Sequence, residues 1–204
     1  MHPVVDIYYV KSLNSMPDNS LKAVFIDRDG TINKEKGYVH AVADFELIPG
    51  ALEALHMLTR NNISINIVTN QAGIAKGYYT EEQFLTLTKC MIEIFDKEDI
   101  RIENVLYCPH HPDGVIPQYT KKCACRKPGA ELIERVMSEQ RLACNQAALI
   151  GDKNSDIEAG IAAGISTYLV LTGYGREHQA FTRTMFVVPD ILGAVRHLLH
   201  GRSC

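Results

Sequence analysis

Short apolar runs alternate with helical patterns along most of this chain. The first run, Ala23–Ile26, contains no polar residue, which is typical of a strand buried on both faces. Similar runs cover residues 64–68, 104–107, 147–150 and 167–171, and helical patterns cover 49–60, 80–96, 130–141, 155–163 and 191–200. Strands that alternate with helices predict an α/β domain, built on a Rossmann-like, mostly parallel sheet with helices on both faces.

The N-terminal residues 1–20 stand apart from this alternation, because a short apolar stretch is followed there by a turn-rich polar one. We expect an N-terminal extension, flexible or added as an edge strand, and one domain over residues 21–204. The net charge of −3 gives no broad basic surface, so nucleic acid is not an expected partner. Neither a membrane-spanning run nor a secretory leader is recognisable, so we expect a cytoplasmic protein without a membrane partner.

Polar side chains occupy the positions where three of the predicted strands end. Asp27 and Thr69 directly follow apolar runs, and Asp152 follows another after one glycine. The carboxyl ends of parallel strands meet at one edge of a sheet, where the ligands of α/β proteins bind. The pattern therefore predicts a single site that contains all three residues.

Two carboxylates leave the first strand together, at Asp27 and Asp29, and enter a glycine turn at Gly30. Like charges so close repel each other, and a divalent cation that prefers oxygen ligands, such as Mg²⁺, offsets the repulsion. An Asx turn with Gly30 at positive φ would explain the same residues without any chemistry. The apolar run that ends directly at Asp27 favours the metal site.

Two further segments carry groups that suit an anion. The hydroxyl of Thr69 and the backbone N–H groups that follow it can hold phosphoryl oxygens, although a plain strand end would look similar. Arg126 and Lys127 precede a predicted helix whose N-terminus is already positive, so the pair indicates an anionic partner unless it is simply solvated. Asp156 either orients the site or is an ordinary acid at a helix start.

Cysteine and histidine residues cluster in the loop between residues 108 and 128. The Cys-x-His and Cys-x-Cys pairs suit a closed, tetrahedral, structural Zn²⁺ site, whose expected ligands are Cys108, His110, Cys123 and Cys125. His111 is a rival to His110. Because the loop has few apolar groups, a metal would order it, and it would also fix Arg126 and Lys127 directly after the last cysteine.

The four strand-end motifs, taken together and in this order, resemble those of the haloacid dehalogenase-type phosphatases. The resemblance covers roughly residues 22–171. It implies a haloacid dehalogenase-like fold without a cap domain, because the motifs leave no room for one, and with the zinc-binding loop as an insert. It also implies a magnesium-dependent phosphatase.

The resemblance assigns a role to each strand-end residue. Asp27 would be the nucleophile that forms an aspartyl-phosphate, and Asp29 the general acid and then the base. Thr69 and Lys127 would hold the transferring phosphoryl oxygens. Catalytic Mg²⁺ would be bound by Asp27, by the main-chain carbonyl of Asp29 and by Asp152, and Zn²⁺ would be structural.

The zinc loop narrows the resemblance to a subgroup that acts on heptose bisphosphates or on histidinol phosphate. Residues 35–40, residues 70–77 and the long segment between the two zinc half-sites look like the heptose enzymes. The substrate contacts that this resemblance implies are Arg28, Glu35, Lys36, Gly37, Tyr38, Asn70, Gln71, Ala72, Arg126 and Lys153. Arg126 suits a second phosphate because its planar guanidinium binds phosphate oxygens bidentately.

The expected function is hydrolysis of the 7-phosphate of a heptose 1,7-bisphosphate, in nucleotide-activated heptose synthesis. The partner is then a small sugar phosphate, and an open single domain permits a monomer. A histidinol-phosphate phosphatase is the alternative enzyme, and a zinc-stabilised phospho-acceptor regulator is the non-catalytic alternative. Receiver-type regulators lack an acid two residues after the phosphorylated aspartate, so Asp29 argues against the regulator.

Overall fold

A single parallel sheet forms the centre of the protein. The structure is a computed structural model and describes residues 20–184 and 186–201. The strands within these residues are β1 (Ala23–Ile26), β2 (Ser64–Asn70), β3 (Asn104–Cys108), β4 (Ala147–Gly151), β5 (Ser166–Val170) and β6 (Phe186–Val188). All neighbours pair in parallel, in the order β3-β2-β1-β4-β5-β6. The predicted Rossmann-like sheet is confirmed, whereas the predicted extension lies, except for Ser20, outside the described residues.

Helices connect the strands. They are α1 (Ala51–Arg60), α2 (Ala72–Ala75), α3 (Glu81–Lys97), α4 (Glu131–Glu139), α5 (Asn154–Ala162), α6 (Gly175–His178) and α7 (Ile191–His200). The capping box predicted for α3 is present, because the Thr80 hydroxyl accepts from the Gln83 N–H at 3.2 Å while the Gln83 side chain accepts from the Thr80 N–H at 2.8 Å.

Successive side chains of β1 point into two separate apolar cores, as the period of a strand requires. Val24 and Ile26 pack with residues of α1, α3 and α7, whereas Phe25 packs with residues of α4 and α5. All four residues of β1 are fully buried. The continuous apolar run in the sequence therefore reflects a central strand that is covered by helices on both faces.

Three elements differ from the sequence-based expectation, because β6, α2 and α6 were not predicted. The two helices have only four residues each and β6 has three, so none of them is long enough to show a period. Strand β2 also continues to Asn70, so Thr69 lies inside the strand rather than after it.

The carboxyl edge of the sheet is open. Between β1 and α1 the chain forms a tight turn closed by a bridge between Asp29 and Asn33, and then a single 3-10 turn at Val42–Asp44. Within the described residues, only these turns separate β1 from α1. In the described part of the chain, no helix has both the length and the apolar character that a bilayer span requires.

Candidate active site

A cavity of about 370 Å³ lies at the carboxyl edge of the sheet. Because β1 pairs with both β2 and β4, the residues that end these three strands arrive side by side. All four predicted catalytic residues line the cavity, namely Asp27, Asp29, Thr69 and Lys127. Asp152 is fully buried, and its carboxylate lies within 4.8 Å of that of Asp27.

Lys127 carries the positive charge at the centre of this site. Its Nζ lies 2.6 Å from Asp27 Oδ1 and 2.6 Å from Asp156 Oδ1, and it donates a third hydrogen bond to the Val68 carbonyl at 2.6 Å. Burial by itself lowers the pKa of Lys127, which is only 3% exposed, but attraction to Asp156 and Asp27 outweighs burial and raises the pKa. The ammonium therefore stays charged, and Asp156 has a role in the site beyond starting a helix.

The backbone of Lys127 is fixed by Asn70 at the end of β2. The Asn70 amide donates to the Lys127 carbonyl and accepts from the Lys127 N–H, at 3.0 Å each. A close turn follows, in which a Cβ on Gly129 would lie 2.0 Å from the Ala124 carbonyl oxygen. Asn70 lines the cavity as predicted, and its side chain also ties the lysine loop to the sheet.

Three carboxylates, those of Asp27, Asp152 and Asp156, lie within 4.8 Å of one another in a buried setting. Burial raises the pKa of Asp27 to about 6, against the opposing attraction of Lys127. Burial, together with repulsion from Asp27, raises the pKa of Asp152 to about 8. The ionised carboxylates would therefore carry more negative charge than the neighbouring cations offset, which is typical of a cation site.

One oxygen of Asp152 shows where a cation would fit. Asp152 Oδ2 accepts from the Tyr174 N–H at 2.8 Å, whereas the buried Oδ1 accepts no hydrogen bond from the described residues. The ammonium of Lys153 is close to this oxygen, with its Nζ 3.9 Å from Oδ1. Asp156 is already engaged by Lys127 and by the Lys153 N–H, so Asp27 and Asp152 are the carboxylates left for a hard divalent ion.

Asp29 is held by several donors. It accepts three hydrogen bonds from the Arg28 guanidinium at 2.8–3.1 Å, one from Asn33 at 3.0 Å and one from Gln71 at 3.1 Å. Arg28 is fully buried, also donates to the Val39 carbonyl and does not line the cavity. This placement does not support the predicted contact of Arg28 with the substrate, because its side chain instead holds Asp29.

Most of the other predicted substrate residues surround the cavity. They are Glu35, Gly37, Tyr38, Asn70, Gln71, Ala72, Arg126 and Lys153. Lys153 lies 3.4 Å from Glu35 and 4.7 Å above the Tyr174 ring, so it is fixed from two sides. Lys36 is an exception, because it is not part of the cavity lining and its Nζ lies 3.2 Å from Glu46. Its predicted contact with the substrate is not supported by this placement.

Further residues line the cavity that sequence reasoning did not assign to substrate. They are Lys76, Tyr79, His111, Ser155, Asp156 and Tyr174. Lys76 donates to the Tyr38 hydroxyl at 3.0 Å. Burial, and then repulsion from Arg126 and Lys76, lowers the pKa of His111. Lys76 and His111 lie in segments already singled out in the sequence, but only the fold shows that both line the cavity together with Arg126.

The predicted zinc ligands converge beside the cavity. The sulfur atoms of Cys108, Cys123 and Cys125 lie 3.2–3.5 Å from one another, and His110 Nδ1 lies 3.4 Å from Cys125 Sγ. His111 instead accepts from the Asp113 N–H and faces the cavity. The geometry thus favours His110 over His111, and three thiols with one imidazole fit tetrahedral Zn²⁺.

Comparisons with known proteins point to one family. A family model described as HAD-hydrolase-like matches residues 124–194. The chain is 42% identical to the D-glycero-alpha-D-manno-heptose-1,7-bisphosphate 7-phosphatase of Photorhabdus laumondii, over 87% of this chain and 100% of that protein. It is 39% identical to the D-glycero-beta-D-manno-heptose-1,7-bisphosphate 7-phosphatase of Escherichia coli K12, over 76% of this chain and 81% of that protein.

A solved structure agrees with these matches. The D,D-heptose 1,7-bisphosphate phosphatase of B. bronchiseptica, crystallised with magnesium and phosphate, superposes with a TM-score of 0.80 at 26% identity. The superposition covers 89% of this chain and 99% of that one. The resemblance drawn from the motifs is thereby confirmed by independent similarity along the whole domain.

Proposed function

We propose that this chain, which belongs to the heptose-1,7-bisphosphate 7-phosphatase family of the HAD-like hydrolases, removes the 7-phosphate of D-glycero-D-manno-heptose 1,7-bisphosphate. The observation that carries the proposal is the placement of Lys127 between Asp27 and Asp156, two carboxylates that cluster with the carboxylate of Asp152. Phosphoryl transfer through an aspartyl-phosphate uses this combination, in which a nucleophile, a fixed cation and a metal-binding carboxylate meet at one point.

Asp27 is the proposed nucleophile. Lys127 binds its Oδ1, which leaves Oδ2 to attack the phosphorus atom. The Thr69 hydroxyl accepts from the Gln71 amide at 2.8 Å, so its own proton can be donated to a phosphoryl oxygen. The P–O bond to the sugar then breaks as the bond to Asp27 forms, and Lys127 offsets charge on the transferring group.

Asp29 is the proposed proton donor to the sugar oxygen. It would afterwards accept a proton from the water that hydrolyses the aspartyl-phosphate, which regenerates Asp27. Asp27, Asp152 and the Asp29 carbonyl are the proposed ligands of Mg²⁺, which when bound neutralises phosphoryl charge. Two carboxylates are needed because Asp27, which attacks the phosphorus atom, cannot also donate the proton that the sugar oxygen takes up.

Zn²⁺ has a proposed structural role in the adjoining loop. The backbone N–H groups of Val115 and Ile116 donate to the Ala75 carbonyl, and a metal at the cysteine cluster would close the other end of the same loop. That closure would place Arg126, directly after Cys125, where its guanidinium can bind the phosphate that the enzyme retains. The product is then a sugar 1-phosphate, which suits nucleotide activation in the cytoplasm.

Phosphate release tests this function. The purified protein with Mg²⁺ is assayed on the α and β anomers of heptose 1,7-bisphosphate and on histidinol phosphate, because relatives named for each anomer match the chain. We expect a much larger kcat/KM on a heptose bisphosphate, and a product whose ³¹P NMR spectrum retains only the anomeric phosphate. A preference for histidinol phosphate, or release of the anomeric phosphate, would contradict the proposal.

A further inference from the structure

A buried chain of hydrogen bonds leads from Tyr79 to the carboxylate of Asp29. The Tyr79 hydroxyl lies 2.5 Å from Gln71 Oε1. The amide nitrogen of Gln71 donates to Asp29 Oδ2 at 3.1 Å and to Thr69 Oγ1 at 2.8 Å. One glutamine side chain thus connects the phenol to the proposed acid and to the proposed phosphate-binding hydroxyl.

The direction of this chain follows from the chemistry of its ends. Asp29 Oδ2 accepts from the Gln71 amide nitrogen at 3.1 Å, so the amide turns its nitrogen towards Asp29 and its oxygen towards Tyr79. The phenol must then donate. Burial raises the pKa of Tyr79 above its usual range, so the phenol keeps its proton throughout the working range of such an enzyme. Tyr79 therefore selects one of the two orientations that the amide could adopt.

The ring of Tyr79 is fixed on two sides. A Cβ on Gly73 would lie 2.1 Å from the ring, so the ring occupies space that only a glycine leaves open. On another side, the imidazole of His40 stacks on the ring with a centroid distance of 4.8 Å and an interplanar angle of 5°. Only 5% of Tyr79 is exposed. Its hydroxyl therefore has little freedom to find another partner.

We propose that Tyr79 is a positioning residue for proton transfer by Asp29, acting through the orientation of the Gln71 amide. The inference rests on the proposed phosphatase function. Without the phenol hydroxyl, Gln71 Oε1 would lose its donor and the amide could rotate, which would present oxygen to the carboxylate of Asp29. Asp29 would then be held less well where it must protonate the sugar oxygen. Thr69 Oγ1 would lose the same donor, so its contact with the phosphoryl group would weaken for every substrate alike.

The leaving group separates these two effects. A sugar oxygen departs as a hydroxyl and needs the proton of Asp29, but p-nitrophenolate departs without one. The value of kcat/KM covers the steps up to formation of the aspartyl-phosphate, so it excludes the later attack of water. For Tyr79→Phe we expect kcat/KM on the heptose bisphosphate to fall about three- to tenfold. The value on p-nitrophenyl phosphate, which depends on Thr69 but not on the proton of Asp29, should fall by a clearly smaller factor.

Two comparisons make the test specific. The first is Tyr107→Phe, which removes a partly buried hydroxyl that donates to Glu81 outside the cavity. This variant should leave both kcat/KM values unchanged. In a Gln71→Ala background, Tyr79→Phe should cause no further loss on the sugar substrate, because its effect passes through the amide.

Equal losses of kcat/KM on both substrates, no loss on either, or a full additional loss in the Gln71→Ala background would overturn the role of Tyr79. These outcomes are distinct from failure of the proposed function. In that case the unmutated protein itself would release no phosphate from the heptose bisphosphate, and the comparison of variants would not arise.

Discussion

Charge balance at Lys127 is the most demanding local feature of the site. Its ammonium is buried with two carboxylates, and each of the three groups depends on the others for its ionised form. A surface ion pair such as Arg196 with Glu53 has no such dependence, because both partners are more than half exposed to water. The two environments lead to different expectations for the removal of a cation.

Replacement of Lys127 by Met should reduce the free energy of unfolding of the metal-free protein by about 3–5 kcal/mol, because Asp27 and Asp156 would remain buried without a counter-charge. The loss should grow as pH rises through about 6, the value to which burial raises the pKa of Asp27. A buried carboxyl with a raised pKa destabilises the folded state once the pH is high enough to ionise it, and Lys127→Met removes the charge that offsets this cost. Urea unfolding on both sides of that pH measures the difference.

Arg196→Met is the matched control and should change the free energy of unfolding by less than about 1 kcal/mol at either pH. A Lys127→Met protein that is as stable as this control, or whose loss shrinks as pH rises, would contradict the proposed charge balance.

Individual side chains also mark the limit of what the sequence could predict. The position of Asp27, the proposed nucleophile, was predictable because Asp27 directly follows a fully apolar strand. The side-chain directions of Arg28 and His111 were not, because each depends on contacts with residues distant in sequence, Val39 for the first and the cavity wall for the second. A motif fixes which groups are near a site, but not which of them face it.

Among the elements, the loop between β3 and α4 depends most on something other than its own packing. It contains single-turn structure at Pro117–Tyr119 and exposes Val115, so it has little apolar burial of its own. The cysteine cluster at the ends of the loop could bind a metal ion, which would stabilise the loop where apolar packing does not. Burial raises the pKa of Cys108, so a cation is needed before this thiol ionises.

Cys123→Ser should remove bound zinc, expose residues 109–122 to limited proteolysis and raise KM for the bisphosphate, because Arg126 would lose its anchor. Metal analysis and proteolysis measure these effects. Cys144→Ser alters an exposed cysteine outside the cluster and should leave zinc content, cleavage and KM unchanged. If the unmutated protein contains no zinc, or if Cys123→Ser retains it, the proposed role of the loop is wrong.

The elements themselves were predictable in proportion to their length. Helix α3 was predicted with its capping box because a box is a local pattern and seventeen residues show a clear period. Helix α2 is a single turn whose residues carry no period, yet it holds Gly73 against Tyr79. Short elements at an active site therefore escape sequence analysis even when they fix the position of a functional side chain.

At the scale of the whole molecule, the order of the strands assembles the site. β1 lies at the centre of the sheet with β2 and β4 on its two sides, so three carboxyl ends meet although their residues are far apart in the chain. This convergence was predictable from the alternation of strands and helices. The place of Lys127 in the site was expected from the resemblance of the motifs and not from this alternation, and the structure shows that the pairing between Asn70 and the lysine backbone ties its loop to the sheet.

The open edge of the sheet has a consequence for selectivity. Because no cap domain covers the cavity in the described residues, the groups that contact a sugar must come from the loops that follow the strands at this edge. These loops supply both the acidic residue Glu35 and the basic groups Lys76 and Arg126 at the cavity mouth. Substrate choice is therefore expected to lie in the loops, and the chemistry in the strand ends.

Trapping of the phosphorylated enzyme tests the central claim most directly. The protein is quenched with acid during turnover of the heptose bisphosphate with Mg²⁺, digested and analysed by mass spectrometry. The account predicts one acid-stable, hydroxylamine-sensitive phosphoryl group on the peptide that contains Asp27, and neither this group nor turnover in Asp27→Asn. A phosphoryl group on another residue, or undiminished turnover by Asp27→Asn, would contradict it.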